Sequence, residues 1–124
     1  LDGWDASVKV HALATVLMGA HLQLGDIARE SIRGISQQQV LAARAAGKKI
    51  RLVAQAEKSP AGIDAFVRPV EISLGDPLAA VSPTGLILHF ELDTLRDLVV
   101  AADRQGPDTT AYGLLADFLS ANRT

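Results

Sequence analysis

Apolar and polar positions change period along the chain, and those changes mark out its elements. Asp5 to Gly19 has helical spacing, with Val8, Val10, Leu13, Val16, Leu17 and Met18 around most of the axis. That distribution predicts a helix buried on more than one side. Asp5 stands at the expected N-cap and Gly19 at the stop. Gly25 to Ser31 suggests a short second helix. Ser36 and Gln39 have capping-box spacing ahead of a helix running to Ala46 and closed by Gly47.

The period then shortens to two. Ile50, Leu52, Ala54 and Ala56 alternate with Lys49, Arg51, Val53 and Gln55, which predicts a half-buried strand. Ser59-Pro60-Ala61-Gly62 is a turn, and Ile63 to Val70 is the returning strand, ended near Pro69. Asp76 is placed to cap a single turn through Val81. After the Ser82-Pro83-Thr84-Gly85 turn, Leu86, Leu88, Phe90 and Leu92 alternate with Ile87, His89 and Glu91. Leu95 to Ala101 is the expected antiparallel partner. Gln105-Gly106-Pro107-Asp108 ends the sheet region, and Thr109 to Ala121 closes as a helix with Ala111, Leu114, Leu115 and Phe118 on one face. Helices, then hairpins, then a helix imply an α+β domain with a mainly antiparallel sheet, and no boundary divides residues 1–124.

Composition narrows the function. The 124 residues are 48% hydrophobic, enough for one packed core, and the net charge is −2. That balance gives no electrostatic case for nucleic acid or an anionic membrane as partner. Without cysteine, disulfides, zinc-thiolate sites and thiol nucleophiles are excluded, which is compatible with a cytoplasmic setting. The longest apolar stretch, Val8 to Ala20, contains Lys9 and His11 and is too short to span a bilayer. No glycine pair has the spacing of a dinucleotide fingerprint, and no phosphate-binding loop is present. The opening Leu1-Asp2-Gly3-Trp4, without a methionine start, reads as that of a fragment.

Candidate chemistry is sparse. Asp5 and Lys9, one turn apart, share a helix face. A carboxylate beside an ammonium orients it, and a lysine partly removed from water exchanges a proton closer to neutrality. A helix cap plus an exposed ion pair explains the same spacing. His11, His21 and His89 fall on a helix, a loop and a strand, with no ligand spacing and no carboxylate motif beside them. Arg44, Lys48, Lys49 and Arg51 cluster at a helix end, where cations are favoured, so a solvated face accounts for them before a cofactor phosphate does.

Leu1-Asp2-Gly3-Trp4-Asp5-Ala6-Ser7-Val8-Lys9 resembles the end of the homoserine dehydrogenase signature, an aliphatic residue followed by x-G-x-D-x-x-x-K. Arg29-Glu30-Ser31-Ile32 with Ile35, Ile50 to Ala54, Val67-Arg68-Pro69, Asp76 to Val81, and Thr110-Ala111-Tyr112 through Asp117 resemble later segments of that family. The resemblance covers nearly the whole chain. It implies the substrate and catalytic portion of an NAD(P)-dependent enzyme that interconverts homoserine and aspartate semialdehyde on the route to threonine and methionine.

In that likeness Lys9 exchanges the proton of the substrate hydroxyl, Asp5 meets the substrate ammonium and orients Lys9, and a homodimer forms through the sheet. The dinucleotide is held mainly by an N-terminal domain absent from this chain, and the chain alone is expected to be inactive. The family's glycine-rich stretch before the last helix is reduced here to Gly106-Pro107-Asp108, which makes Gly106 the candidate cofactor contact. An asparagine of the family after the Gly85 turn is replaced by Leu86 and Ile87. Two other readings stay open: a related oxidoreductase with a different substrate, and a non-catalytic α+β oligomerisation or binding module. A Lys9 that points into a cleft favours the enzyme, and a Lys9 in open solvent favours the module.

Overall fold

The computed structural model describes residues 2–82, 84–103 and 106–122. The chain divides into two compact units, Leu1–Leu74 and Gly75–Thr124, where the sequence suggested no boundary. Each unit has its own sheet. The α+β class holds, but the strands do not join in one continuous sheet.

In the first unit, helix α1 (Trp4–Met18) precedes strand β1 (Ala28–Arg29), helix α2 (Gln37–Ala45) and the long hairpin of β2 (Lys48–Ser59) and β3 (Gly62–Ser73). The strand order is β1-β3-β2, with β2 antiparallel and β1 parallel to β3. The hairpin closes through Pro60 and Ala61, with Ser59 paired to Gly62. Gly62 has a φ of 135°, which a side chain would resist. Ser36 and Gln39 form the expected reciprocal cap of α2: Gln39 N–H donates to Ser36 Oγ (3.2 Å) and Ser36 N–H donates to Gln39 Oε1 (2.8 Å).

Three expectations are corrected. Gly25 to Ser31 is not a helix. A single 3₁₀ turn (Leu24–Asp26) leads into β1, which pairs Ala28 with Phe66 and Arg29 with Val67. Nor does β3 stop at Pro69, which pairs with Leu52 well inside the hairpin. Val67 O accepts from Glu30 N–H (2.8 Å), so Val67 and, two residues on, Pro69 turn their backbone groups toward the β1 side. There Pro69 meets the end of β1, and its missing N–H costs no ladder bond already made. The same absence ends β1, because the next parallel bond would need that donor.

The third correction concerns α1. Its buried residues are Ser7, Val10 and Ala14, all on one face. Val10 joins Ile27 and Val67 in the core, flanked by Ala6, Leu24, Leu52, Ala54, Ala56 and Ala65. The opposite face is open, with Val16 79% exposed, and the last turn is open on the buried side as well, where Leu17 is 60% exposed. Small residues on α2 and α1 let the sheet cover one face of each, and among the described residues of this unit the other face stays exposed.

In the second unit Asp76 caps a 3₁₀ turn (Pro77–Ala79), accepting Leu78 N–H on Oδ1 at 2.8 Å. The turn after Val81 is closed by Gly85 N–H to Ser82 O (3.0 Å); Pro83 within it lies outside the described residues. Strands β4 (Leu86–Leu92) and β5 (Arg96–Ala102) then form the expected hairpin, Leu86 opposite Ala102. Helix α3 (Pro107–Ala121) follows, with no buried residue. Gln105, expected in the break before it, lies outside the described residues.

Candidate functional site

The first turn of α1 is fixed by close packing beneath it. Gly3 takes the N-cap place with a φ of 77°, so Asp5 lies inside the first turn and is not the cap. A Cβ on Gly3 would stand 3.0 Å from Val67 Cγ1, in the centre of the core. Gly3 O accepts both Ser7 N–H (2.9 Å) and the hydroxyl of fully buried Ser7 (2.8 Å). The glycine therefore lets the chain turn sharply against the sheet, and Ser7 fastens the turn from below.

That anchoring sets the direction of the opposite face, which carries Asp5 and Lys9. Lys9 Nζ lies 2.8 Å from Asp5 Oδ2. The side chains are 54% and 81% exposed. The structure thus brings the two sequence-predicted groups together but does not bury them, because the all-round burial expected of α1 is absent.

Other charged groups surround the same end of α1. Arg33 Nε reaches Asp2 Oδ1 at 2.9 Å, tying the chain before α1 to the loop after β1. The guanidinium of Arg29 lies 4.8 Å over the ring of Trp4. Neither Arg29 nor Trp4 was singled out by sequence reasoning. Both are ordinary in pattern, and only the parallel β1–β3 pairing brings them together.

The remaining candidates separate. His11 Nε2 is 2.8 Å from Leu22 O, a packing contact across the turn after α1, and His21 is exposed. His89, expected to have no carboxylate beside it, has one: its Nε2 is 2.8 Å from Asp97 Oδ1 across the β4–β5 hairpin. The hairpin register, invisible in linear spacing, creates that pair. In the basic cluster Lys48 pairs with Glu71 at 2.9 Å and Arg44 is exposed, as a solvated face requires.

Gly106 is the N-cap residue of α3. Its N–H donates to Thr109 Oγ1 (3.1 Å), and its carbonyl accepts from Thr110 N–H (3.3 Å). Pro107 has no N–H to offer, and Asp108 adds a carboxylate to the first turn. An anionic phosphate is disfavoured there, since a negative side chain already occupies the positive end of the helix. The described residues around Gly106 therefore do not fit a dinucleotide phosphate.

With the geometry in place, likeness to known proteins decides the family. A homoserine dehydrogenase family model matches residues 1–119. The chain belongs to the homoserine dehydrogenase family. An NAD(+)-dependent homoserine dehydrogenase of Pseudomonas canavaninivorans is 28% identical over 125 residues, covering 100% of this chain and 36% of that protein. A homoserine dehydrogenase of Corynebacterium glutamicum is 29% identical over 128 residues, covering 99% of this chain and 29% of that protein. This chain spans 29–36% of the length of these two relatives. The homoserine dehydrogenase structure from Thiobacillus denitrificans has the same fold, with a TM-score of 0.87 at 24% identity, over 94% of this chain and 27% of that one. The S. aureus homoserine dehydrogenase structure at pH 6.0 gives a TM-score of 0.85 at 24% identity, over 96% and 30%. Among the described residues of this family member, no helix is long and apolar enough to cross a membrane.

Proposed function

We propose that this chain is the substrate-binding and catalytic portion of a cytoplasmic homoserine dehydrogenase, interconverting homoserine and aspartate semialdehyde in threonine and methionine biosynthesis. The observation that carries the reading is the Asp5–Lys9 pair, 2.8 Å apart on the outward face of a helix whose first turn is locked by Gly3 and Ser7.

Oxidation of a primary alcohol to an aldehyde needs a hydride acceptor and a group that takes the hydroxyl proton. The acceptor, NAD or NADP, is bound in this reading outside these 124 residues. Lys9 Nζ moves the hydroxyl proton, and Asp5 directs Nζ and receives the substrate ammonium. Positioning and proton transfer are this chain's share of the catalysis. Both groups face solvent, so in this reading the substrate reaches the pair from the outward face of α1.

Lys9→Ala in the complete protein should lower turnover about 10²–10⁴-fold in both directions while fold and dinucleotide affinity survive. Lys9→Arg should restore little, since a guanidinium does not release its proton near neutral pH. Near-normal turnover of Lys9→Ala would remove Lys9 from the mechanism.

The exposure of Lys9 is also what a non-catalytic oligomerisation module would show. Homoserine-dependent reduction of NAD or NADP by the complete protein decides between the two. Under either reading the apolar positions on β4 and β5 are covered by a second copy of the protein. Light scattering at micromolar concentration should then give at least twice the monomer mass, and a monomer mass would refute the dimer.

A further inference from the structure

We infer that Arg29 is the receptor for the substrate's α-carboxylate, held ready by Trp4. This inference rests on the homoserine reading of the Asp5–Lys9 site. Homoserine is a zwitterion with a hydroxyl at the far end of its side chain, so its recognition needs three polar partners. Asp5 serves the ammonium and Lys9 the hydroxyl. The carboxylate still requires a cation, and Lys9 cannot hold it while exchanging a proton at the other end of the molecule.

Arg29 fits that need by position. Residues paired across neighbouring strands project to the same face of a sheet. Arg29 pairs with Val67, and Val67 packs beneath Gly3 and against the α1 side of the core. Arg29 therefore rises on the α1 side and meets Trp4, the residue next to Asp5, with its guanidinium 4.8 Å from the ring centroid. Arg68, one residue beyond Val67, projects from the other face and lies 4.1 Å over Phe66. The nearby Arg33 is already paired with Asp2.

The state of the Arg29 side chain also fits. Stacking on the Trp4 ring restrains the guanidinium without using any of its N–H groups. Among the described residues no carboxylate forms an ion pair with it. Its planar fork remains available for a bidentate carboxylate contact. Trp4 is 57% exposed, an apolar ring on the same first turn of α1 as Asp5. β1 is only two residues long, ended by Pro69, yet it is long enough to set Arg29 at this place.

The test uses the complete protein with homoserine and with 3-aminopropan-1-ol, which keeps the ammonium and hydroxyl and lacks the carboxylate. Arg29→Met should raise KM for homoserine about 10–100-fold, the effect of losing a charge-assisted carboxylate contact, with kcat changed far less. kcat/KM for 3-aminopropan-1-ol should hold, so the preference for homoserine collapses. Arg29→Lys should recover part of it, as a point charge without the fork. Arg68→Met, which removes the equivalent stacked arginine from the other face, should keep the full preference. Equal losses on both compounds, a rise in KM for the dinucleotide alone, or an unchanged preference in Arg29→Met would each overturn the assignment. If the unsubstituted protein fails to oxidise homoserine, the proposed function falls and this inference falls with it.

Discussion

The two units of the chain have similar amphipathic patterns and very different interiors. In the first, α1 and the β2–β3 hairpin close on each other around Val10, Ile27 and Val67. In the second, Ala79 is the one hydrophobic residue buried among those described. Leu114, Leu115 and Phe118, which share the apolar face of α3, are 68%, 56% and 65% exposed. Apolar periodicity tells which face an element would bury, but not whether its partner lies in the same stretch of chain. The first unit finds its partner locally, while the strands and helix of the second present apolar positions that are exposed among the described residues.

Paired substitutions sharpen that contrast, read as unfolding free energies by denaturant titration. Two glycines have equally close neighbours, with an added Cβ 3.0 Å from Val67 Cγ1 at Gly3 and 3.0 Å from Val81 Cβ at Gly85. Gly3→Ala should cost about 2–4 kcal/mol, since it adds a left-handed backbone penalty to a clash inside the core. Gly85→Ala should cost less than about 1 kcal/mol, because its φ is ordinary and the lost freedom of the unfolded chain offsets part of the crowding. Similar costs at the two positions would break the contrast.

Core and surface truncations come next in size. Val67→Ala, at a fully buried site, should lose about 2–3 kcal/mol. Phe118→Ala removes a larger side chain yet should stay within about 0.5 kcal/mol, as expected of an exposed site. A larger loss at Phe118 would mean that α3 is covered in the protein as measured.

The smallest effect tests the part of the first unit that most resembles the second. Helix α2 buries only Ala43 and depends on its own cap. Ser36→Ala should cost about 1 kcal/mol. A negligible loss would show that α2, like α3, contributes little to the stability of these residues.

Local features were the most legible in the sequence. The Ser36–Gln39 box, the hairpin pairings and the Asp76 cap all follow from side chains acting within a few residues of one another. β1 was not legible, because Ala28 and Arg29 become a strand only by pairing with Phe66 and Val67, far along the chain. The extent of α1 was clear but its burial was not, since Val8, Val16 and Leu17 carry the same pattern whether or not a partner covers them. Among the candidate residues the same division holds. Helical spacing alone joins Asp5 to Lys9, whereas Arg29 over Trp4 and His89 beside Asp97 depend on strand register.

Pro69 has one more effect, on solubility. A strand edge with regularly spaced donors and acceptors is a template on which another molecule's strand can dock, and natural sheets interrupt such templates with residues that cannot donate. On the side of β3 beyond Arg29, the first backbone nitrogen an incoming strand would meet is that of Pro69, which has no hydrogen to give. The residue that ends β1 is therefore also a gatekeeper. Replacing it with valine would lengthen the adhesive edge of the sheet and should favour aggregation, even where the stability of the monomer is unchanged or improved.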